Sequence, residues 1–339
     1  MKAAFVKSGG GLEVLECPTP KPGAGEILLK VAYCGICGSD VHMLQAGLLP
    51  PGCIIGHELS GYITAVGDGV EGWHEGEAVA AIPYFPCMVC DACKSGHTQL
   101  CVGGLDRSYG LGKNAGGFSQ YMVVKPSALF KIPSGMDMKT AAINEPWGVA
   151  VHAVNMLELK LGAMGAVLGA GPIGLLTIYA LKKTGAYLYV SEPDKYRAGK
   201  AKAAGADVII DPNAEEPFFA IMKSAGRTMD WAIDCAGTAN SIQVAAGLVG
   251  PRGLVVVVGV HMGVARLAPI VCFYREARLY FSFSSNYREF GVALELLAGG
   301  AVNPEVVISD VMPLRDIDKA FKLISESGHS KILIDCQAV

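Results

Sequence analysis

Four closely spaced cysteines carry the strongest chemical signal in the sequence. Cys87, Cys90, Cys93 and Cys101 follow the pattern Cys-x2-Cys-x2-Cys-x7-Cys. Four thiolates can close a tetrahedral zinc site with no open position, and such a site stabilises a lobe that has little core of its own. Disulfides, incidental buried cysteines, an iron–sulfur cluster and a nucleic-acid-binding zinc ribbon are the alternatives. The spacing favours structural zinc in a lobe at about residues 86–102.

A second set of possible metal ligands is dispersed along the chain. Cys37 begins the run Cys-Gly-Ser-Asp-Val-His that ends at His42, and His57 with Glu58 follows Gly56. Thiolate, imidazole and carboxylate together suit Zn²⁺ and leave room for a substrate oxygen. Each piece alone is a weak signal, because Gly-His-Glu is common in capped turns and Cys34-x2-Cys37 could be a redox motif.

A glycine-rich turn is the third signal, and its residues are Gly169, Ala170, Gly171, Pro172, Ile173 and Gly174. The turn follows a short apolar strand and precedes a predicted helix, and Glu192 comes at the end of the next predicted strand. Glycines at this position let the backbone approach a pyrophosphate, and the helix N-terminus attracts its charge. A carboxylate at Glu192 would accept the ribose hydroxyls and repel a 2′-phosphate, which favours NAD over NADP. Lys195 and Arg197 lie close enough to keep NADP open, and Arg197 is a candidate cofactor contact.

The elements that must position these residues differ between the two parts of the chain. The first 145 residues or so contain short β-type runs separated by Gly and Pro, which predicts a β-rich core. From about residue 150 strands and helices alternate, which predicts an α/β fold with a doubly wound parallel sheet. A chain of 339 residues is long enough for two such domains.

Composition excludes several functional classes. The formal net charge is −3, with 28 Lys+Arg against 31 Asp+Glu, so no basic excess points to a nucleic acid. The uncharged stretch 163–181 is interrupted by glycines in its middle, so we expect a strand, a turn and a helix rather than a membrane span. Eleven cysteines without a recognisable secretory signal indicate a reducing, cytoplasmic location.

Taken together, these motifs identify a resemblance that runs essentially end to end. Gly56-His57-Glu58 is followed by Gly61, Gly67, Val70, Gly76 and Val79 at the spacing of a family signature. The Cys37 run, the four cysteines and the glycine-rich turn also come in the order expected for that family. The chain therefore resembles the zinc-dependent medium-chain alcohol and polyol dehydrogenases, including the sorbitol, butanediol and threonine dehydrogenases. The resemblance implies a GroES-like catalytic domain over residues 1–149 and 288–339, and a Rossmann NAD-binding domain over residues 150–287.

The resemblance also implies roles for individual residues. Cys37 and His57 would ligate a catalytic zinc, and Glu145 would take the place of a second cysteine of classical alcohol dehydrogenases. Glu58 would be a nearby carboxylate that can exchange with water on the metal. Ser39 and His42 would relay the alcohol proton outward. The implied cofactors are two zinc ions per chain and NAD.

The implied reaction is hydride transfer from a secondary alcohol or polyol to NAD, which gives a ketone or aldehyde and NADH. The alternatives are a larger or anionic hydroxy substrate, such as a hydroxyacyl thioester, a zinc-free reductase of the same fold, and a non-catalytic protein. The expected partners are a small-molecule substrate and further copies of the chain, with no nucleic acid and no membrane. The resemblance implies a homotetramer or a homodimer, with the strand 254–258 and the segment after it near the interface.

Overall fold

In the computed structural model, which describes residues 1–339, the chain forms two units. The first unit comprises Met1–Glu145, Ser285–Gly300 and Ile308–Val339, and the second comprises Pro146–Ser284 and Ala301–Val307. The boundaries expected from the sequence, 149/150 and 287/288, lie a few residues beyond the observed ones. Residues 301–307 fall in the second unit, although the resemblance placed them in the first.

The chain contains fifteen strands and twelve α-helices. The strands are β1 (Lys2–Val6), β2 (Leu12–Glu16), β3 (Ile27–Gly35), β4 (Glu58–Val66), β5 (Ala78–Ala81), β6 (Tyr121–Val124), β7 (Leu129–Lys131), β8 (Met164–Leu168), β9 (Tyr187–Ser191), β10 (Val208–Ile210), β11 (Met229–Asp234), β12 (Val249–Val257), β13 (Arg278–Phe281), β14 (Ile308–Pro313) and β15 (Lys331–Asp335). The helices are α1 (Gly38–Gln45), α2 (Asp91–Lys94), α3 (Met138–Ala142), α4 (Asn144–Asn155), α5 (Pro172–Lys183), α6 (Lys195–Ala204), α7 (Pro217–Ala225), α8 (Ser241–Leu248), α9 (Pro269–Phe273), α10 (Tyr287–Ala298), α11 (Pro304–Val307) and α12 (Ile317–Leu323).

A seven-stranded sheet forms the centre of the first unit. Its order is β14-β15-β3-β4-β5-β7, with β6 also paired to β3, and every pair except β14/β15 is antiparallel. The long strands β3 and β4 supply much of the core, because apolar side chains such as Ile27, Leu29 and Ile63 are almost fully buried. The last strand, β15, returns to lie beside β3, with Ile334 opposite Cys34. The C-terminus of the chain is thereby brought next to the Cys37 run.

A six-stranded parallel sheet forms the centre of the second unit. Its order is β10-β9-β8-β11-β12-β13, so the strand order reverses beside β8, as in a doubly wound nucleotide-binding sheet. Strand β12 is buried along Val255–Val257 because helices cover an interior strand on both faces. The short helix α11 packs on α5 and α6, and the Nζ of Lys200 donates to the carbonyl of Glu305 at 3.0 Å. These contacts explain why residues 301–307 belong to this unit.

The uncharged stretch 163–181 folds as expected into β8, a glycine-rich turn and α5. A helix begins at Pro172 because proline favours the first helical position and Gly171 caps it. No helix in the chain is both long enough and apolar enough to span a bilayer.

Candidate active site and metal centres

The four cysteines of the cysteine lobe (residues 86–102) converge on one point. The sulfurs of Cys87, Cys90, Cys93 and Cys101 all lie within 4.8 Å of one another. The Cys87 and Cys93 sulfurs are 3.9 Å apart. A tetrahedral zinc with Zn–S bonds of about 2.3 Å would separate two sulfurs by about 3.8 Å. The lobe therefore has the shape and the donor set of a closed zinc site.

Backbone N–H groups point at these sulfurs, and at Cys87 they favour the thiolate form. The N–H of Cys90 donates to the Cys87 sulfur at 3.3 Å, and the N–H of Cys87 donates to the Cys101 sulfur at 3.4 Å. Hydrogen bonds from the Val89 and Cys90 amides lower the pKa of Cys87 to about 6. Because zinc binds the thiolate and not the thiol, this environment fits the ion.

The dispersed residues Cys37, His57 and Glu58 also come together, although they lie on different elements. One donor atom of each lies within 4.8 Å of the others, and we call them the catalytic cluster. Cys37 precedes the first turn of α1, directly after β3. His57 and Glu58 lie at the start of β4, which pairs with β3 along its length. The antiparallel pairing of two strands thus joins residues separated by about twenty positions in the chain.

Gly56 is required where the chain turns into β4. Its φ is +99°, and a Cβ there would lie 2.8 Å from the ring of Phe118 and 2.9 Å from the Cys34 sulfur. Any larger residue would therefore displace the backbone that carries His57.

Asp40 is a residue of this site whose role the sequence did not reveal. It is 1% exposed, and its carboxylate accepts the Cys37 N–H at 3.1 Å. Its other oxygen lies 3.3 Å from Nδ1 of His57. Burial lowers the pKa of His57, but the Asp40 carboxylate and the Cys37 sulfur outweigh burial and raise the pKa overall. With the Asp40 carboxylate on the Nδ1 side, the other ring nitrogen, Nε2, is the one that a metal would use.

Lys331 is the second such residue. Its Nζ lies 2.7 Å and 2.6 Å from the two oxygens of Glu58 and donates to the carbonyl of Ile36 at 2.8 Å. Both partners are fully buried, with exposures of 2% and 0% for the two side chains. Burial lowers the pKa of Lys331, but the charge of Glu58 raises it by more, so the ammonium stays charged. A lysine at the head of the apolar run Lys-Ile-Leu-Ile was the only sequence signal for this contact.

Glu145 lies in the first turn of α4 and is 7% exposed. Burial raises its pKa to about 7, and the charges of His57 and Glu58 also act on it. It is not among the residues whose donor atoms lie within 4.8 Å of one another. The structure therefore places Glu145 in the electrostatic neighbourhood of the catalytic cluster without bringing it into ligand contact.

The two predicted relay residues lie on α1. The hydroxyl of Ser39 donates to the Cys37 sulfur at 3.2 Å, which places it beside the catalytic cluster. Ser39 is half-buried and His42 is exposed. Because residues three apart share a helix face, α1 leads from the cluster toward solvent.

In the second unit, the glycine-rich turn joins β8 to α5 at the carboxyl edge of the sheet. Gly174 must be glycine because a Cβ there would lie 2.0 Å from the carbonyl oxygen of Gly169. Glu192, 5% exposed, accepts the N–H of Ala170 at 2.6 Å and that of Asp194 at 2.9 Å. The carboxylate is thereby anchored at the end of β9, next to the turn.

Arg197 lies in the first turn of α6, where its backbone N–H donates to Asp194 at 2.9 Å. Its side-chain Nε is buried and has no hydrogen-bond partner. All the predicted cofactor residues lie at the carboxyl ends of β8 and β9 or in the first turns of the helices that follow. They are Gly169, Gly171, Pro172, Ile173, Gly174, Glu192 and Arg197.

Comparison with known proteins places the chain among dehydrogenases. Residues 23–134 match the family model of the alcohol dehydrogenase GroES-like domain, and residues 172–299 match that of the zinc-binding dehydrogenase domain. A 2-dehydro-3-deoxy-L-galactonate 5-dehydrogenase of Pseudoalteromonas atlantica is 32% identical, with 100% of this chain and 99% of the relative covered. A sorbitol dehydrogenase of Bombyx mori is 30% identical, with 99% and 98% covered.

Solved structures of dehydrogenases have the same fold as this chain. A protein of Escherichia coli CFT073, described as a short chain alcohol dehydrogenase and determined with NADH, superposes with a TM-score of 0.91 at 29% identity. The match covers 99% of both chains. The predicted two-domain α/β architecture is thereby confirmed.

Proposed function

Because the chain belongs to the zinc-dependent medium-chain alcohol and polyol dehydrogenases, which are oxidoreductases acting on CH–OH groups, we propose that it oxidises a secondary alcohol or polyol with NAD. The products are a ketone or aldehyde and NADH. The observation that carries the proposal is the catalytic cluster, in which half-buried Cys37 meets buried His57 and Glu58, with the hydroxyl of Ser39 beside it. The comparisons give no support to the hydroxyacyl thioester, zinc-free or non-catalytic alternatives.

We assign a catalytic zinc to Cys37, His57 and Glu145, and a structural zinc to Cys87, Cys90, Cys93 and Cys101. Glu58 is the carboxylate that stands near the catalytic zinc and exchanges with water. When bound, the catalytic zinc supplies Lewis-acid polarisation of the alcohol oxygen, and NAD supplies the hydride acceptor. The thiolate, imidazole and carboxylate donors fit zinc, with Asp40 beside the imidazole of His57 and Lys331 holding the nearby carboxylate of Glu58.

The chain's own residues carry the proton away. Ser39, whose hydroxyl is next to the metal ligand Cys37, accepts the alcohol proton on its oxygen and releases its own hydroxyl proton in the direction of His42. His42, exposed on the same helix, passes the proton to solvent, since an imidazole is the side chain best suited to proton exchange at neutral pH. The two residues thus move a proton from a buried position to water along α1.

The nucleotide lies at the carboxyl edge of the six-stranded sheet. The turn Gly169–Gly174 receives the pyrophosphate. The space beside Gly171 is open, and the N-terminus of α5 begins directly after that residue. Glu192 accepts the adenosine ribose hydroxyls, and its negative charge disfavours a 2′-phosphate. NAD is therefore the preferred cofactor, with Arg197 as a second contact.

The chain acts as an assembly of identical copies, a homotetramer or a homodimer. Strand β12 is buried inside the sheet, so the surface available for pairing is the edge strand β13. Tyr280, Phe281 and Phe283 are 41%, 69% and 60% exposed at this edge. An unpaired edge with exposed aromatic side chains is a pairing surface for a second strand. The eleven free cysteines and the thiolate sites fit a reducing cytoplasm.

The proposal is tested by following NADH formation at about 340 nm with alcohols, polyols and hydroxy acids. Hydroxy acids belong in the panel because one relative is named for an acidic sugar derivative. NADP and chelator-treated protein are run in parallel, and zinc is counted per chain. About two zinc ions per chain with chelator-sensitive, NAD-specific turnover of one substrate class is the expected result. One zinc per chain and no turnover of any substrate would contradict it.

A further inference from the structure

Two buried hydroxyls connect the cysteine lobe to the segment where the chain returns to the first unit. Thr98 and Tyr84 are 5% and 8% exposed, and their hydroxyl oxygens lie 3.0 Å apart. The Tyr84 hydroxyl also lies 2.7 Å from the carbonyl oxygen of Ser285, and the N–H of Tyr287 donates to the Thr98 hydroxyl oxygen at 2.8 Å. We call Ser285–Tyr287 the crossover segment.

The hydrogen bonds among Tyr84, Thr98 and the crossover segment can run in only one direction. A tyrosine hydroxyl has a single proton, and Tyr84 must give it to the Ser285 carbonyl, which can only accept. Thr98 therefore donates to the Tyr84 oxygen and accepts from the Tyr287 N–H. The result is a ring of hydrogen bonds that starts and ends on the crossover segment and encloses Asn286. Buried hydrogen bonds arranged in series polarise one another, so each hydroxyl supports the next.

The ring is attached to the cysteine lobe through Thr98. This residue lies between Cys93 and Cys101, on the short 3-10 helix Thr98–Leu100, and its carbonyl accepts the N–H of Cys101 at 3.2 Å. The backbone that carries its hydroxyl is thus tied directly to that of Cys101. Burial raises the pKa of Tyr84 well above its usual range, so its hydroxyl keeps its proton at every ordinary pH.

The crossover segment is a point where the backbone needs support. Ser284, directly before it, has a φ of +54°, a conformation that a non-glycine residue adopts at a cost. Asn286 caps α10, accepting the N–H of Glu289 at 2.8 Å, so the segment also sets where that helix begins.

The crossover segment continues the chain directly after residues 282–284, which follow β13 in the second unit. The carboxyl end of β13 lies in the half of the sheet made of β11, β12 and β13. In a doubly wound sheet the two halves each receive one mononucleotide, and the glycine-rich turn after β8 belongs to the other half. Residues 282–284, at the carboxyl end of β13 in the second unit, therefore belong to the nicotinamide half of the sheet.

We propose that Tyr84 and Thr98 are positioning residues that clamp the crossover segment to the cysteine lobe, and that this clamp holds the chain after β13 in its nicotinamide-binding conformation. The cysteine lobe then has a role in cofactor binding beyond stabilising itself. Only the cofactor part of this inference rests on the proposed function, because the clamp itself is a contact within the first unit.

The test uses the full-length, zinc-loaded protein and four variants. Tyr84→Phe and Thr98→Val remove one hydroxyl each while keeping the shape of the side chain, and Thr98→Ser keeps the hydroxyl. Tyr109→Phe is the matched control, because Tyr109 is 5% exposed and its hydroxyl also bonds a backbone group, the Lys125 N–H at 2.8 Å. Amide hydrogen exchange of residues 284–290 and the Kd for NADH are measured for each protein.

We expect Tyr84→Phe and Thr98→Val to accelerate exchange of the Tyr287 amide by about three- to tenfold, the range for one lost hydrogen bond. The Kd for NADH and the KM for NAD should rise by about the same factor while kcat changes by less than about twofold. Thr98→Ser and Tyr109→Phe should match the wild type in both measurements. A purely stabilising role of buried hydroxyls would instead weaken NADH binding in Tyr109→Phe as well, because that variant also loses the hydrogen bond of a buried tyrosine.

Unchanged exchange in both hydroxyl-deletion variants would overturn the clamp. Faster exchange with an unchanged Kd for NADH, or an equal loss of affinity in Tyr109→Phe, would overturn its role in cofactor binding. If the wild-type protein bound no NADH, the proposed function would fail, and the exchange comparison alone would decide whether the clamp exists.

Discussion

The cysteine lobe and the catalytic cluster both present zinc-binding atoms, but the chain builds them in different ways. The lobe takes four cysteines from fifteen consecutive residues, and short turns with backbone N–H groups converge on them. The catalytic cluster takes Cys37 from the turn between β3 and α1, and His57 with Glu58 from the start of β4. Its supporting residues come from α1 and from β15, at the far end of the chain.

The difference corresponds to what each site must do. Four thiolates saturate a tetrahedral zinc, so the lobe has no position for a substrate and serves the structure. The catalytic cluster mixes donor types and is surrounded by buried charges, of which Asp40 faces His57 and Lys331 faces Glu58. A mixed set leaves room for a substrate oxygen, and the surrounding charges set the orientation of its members. Damage to the two sites should therefore have different consequences.

The largest effect on turnover is expected from His57→Ala. Removing the imidazole takes away a zinc ligand and the metal's polarisation of the alcohol, so kcat/KM should fall by about a thousandfold or more. Bound zinc should fall from about two ions to about one per chain, with the cysteine lobe still filled. Steady-state kinetics and metal analysis of the purified variant test this. His74→Ala, which removes an exposed histidine, is the control. Full activity with unchanged metal content would show that His57 is not a ligand.

The largest effect on stability is expected from Cys93→Ser. This cysteine is 6% exposed in the cysteine lobe, and losing its thiolate should release the structural zinc. The loss of a structural metal is among the few single changes that cost about 4 kcal/mol or more in free energy of unfolding. Thermal unfolding and zinc counting measure it, with Cys272→Ser as a control because that half-buried cysteine belongs to neither site. A variant that kept two zinc ions and the wild-type melting temperature would break the distinction between the two sites.

A somewhat smaller effect is expected where the catalytic cluster meets β15. Lys331→Met leaves the buried carboxylate of Glu58 without its partner, which should lower the free energy of unfolding by about 3 kcal/mol. The double variant Glu58→Gln with Lys331→Met should recover much of that loss, because no buried charge is left unpaired. Lys322→Met is the control, since it removes only an exposed ion pair with Asp318. Denaturant unfolding of the four proteins gives the comparison. Equal losses in Lys331→Met and Lys322→Met would mean that the buried pair contributes no more than a surface pair.

The two sites also differ in how much of them the sequence could predict. The cysteine lobe and the glycine-rich turn are local, so their spacing alone predicted their geometry, as it predicted α6 at residues 195–204 and β15 at residues 331–335. The role of Lys331 was missed because it depends on β15 pairing beside β3, which brings residues 273 positions apart into contact. Long-range packing also explains why the sequence did not place residues 301–307 in the second unit. Their helix α11 packs on α5 and α6, which lie far from it in the sequence. Residue types alone indicated Cys37 and His57 as possible metal ligands, whereas Glu145 and the catalytic role of the metal came only from the resemblance.

Asp40 belongs to the part that the sequence left open, and the smallest of these effects is expected from Asp40→Asn. The amide oxygen can still accept the Cys37 N–H, but the negative charge beside Nδ1 of His57 is lost. Removing such an orienting group should weaken zinc binding in the catalytic cluster, or activity, by about ten- to a hundredfold, while the cysteine lobe keeps its ion. Competition with a chelator, followed by metal counting, separates the weaker site from the tighter one. Asp106→Asn is the control, since that carboxylate is exposed and pairs only with Lys113. If Asp40→Asn released zinc from both sites together, the two centres would not be independent, and the contrast between a closed local site and an open assembled one would have to be given up.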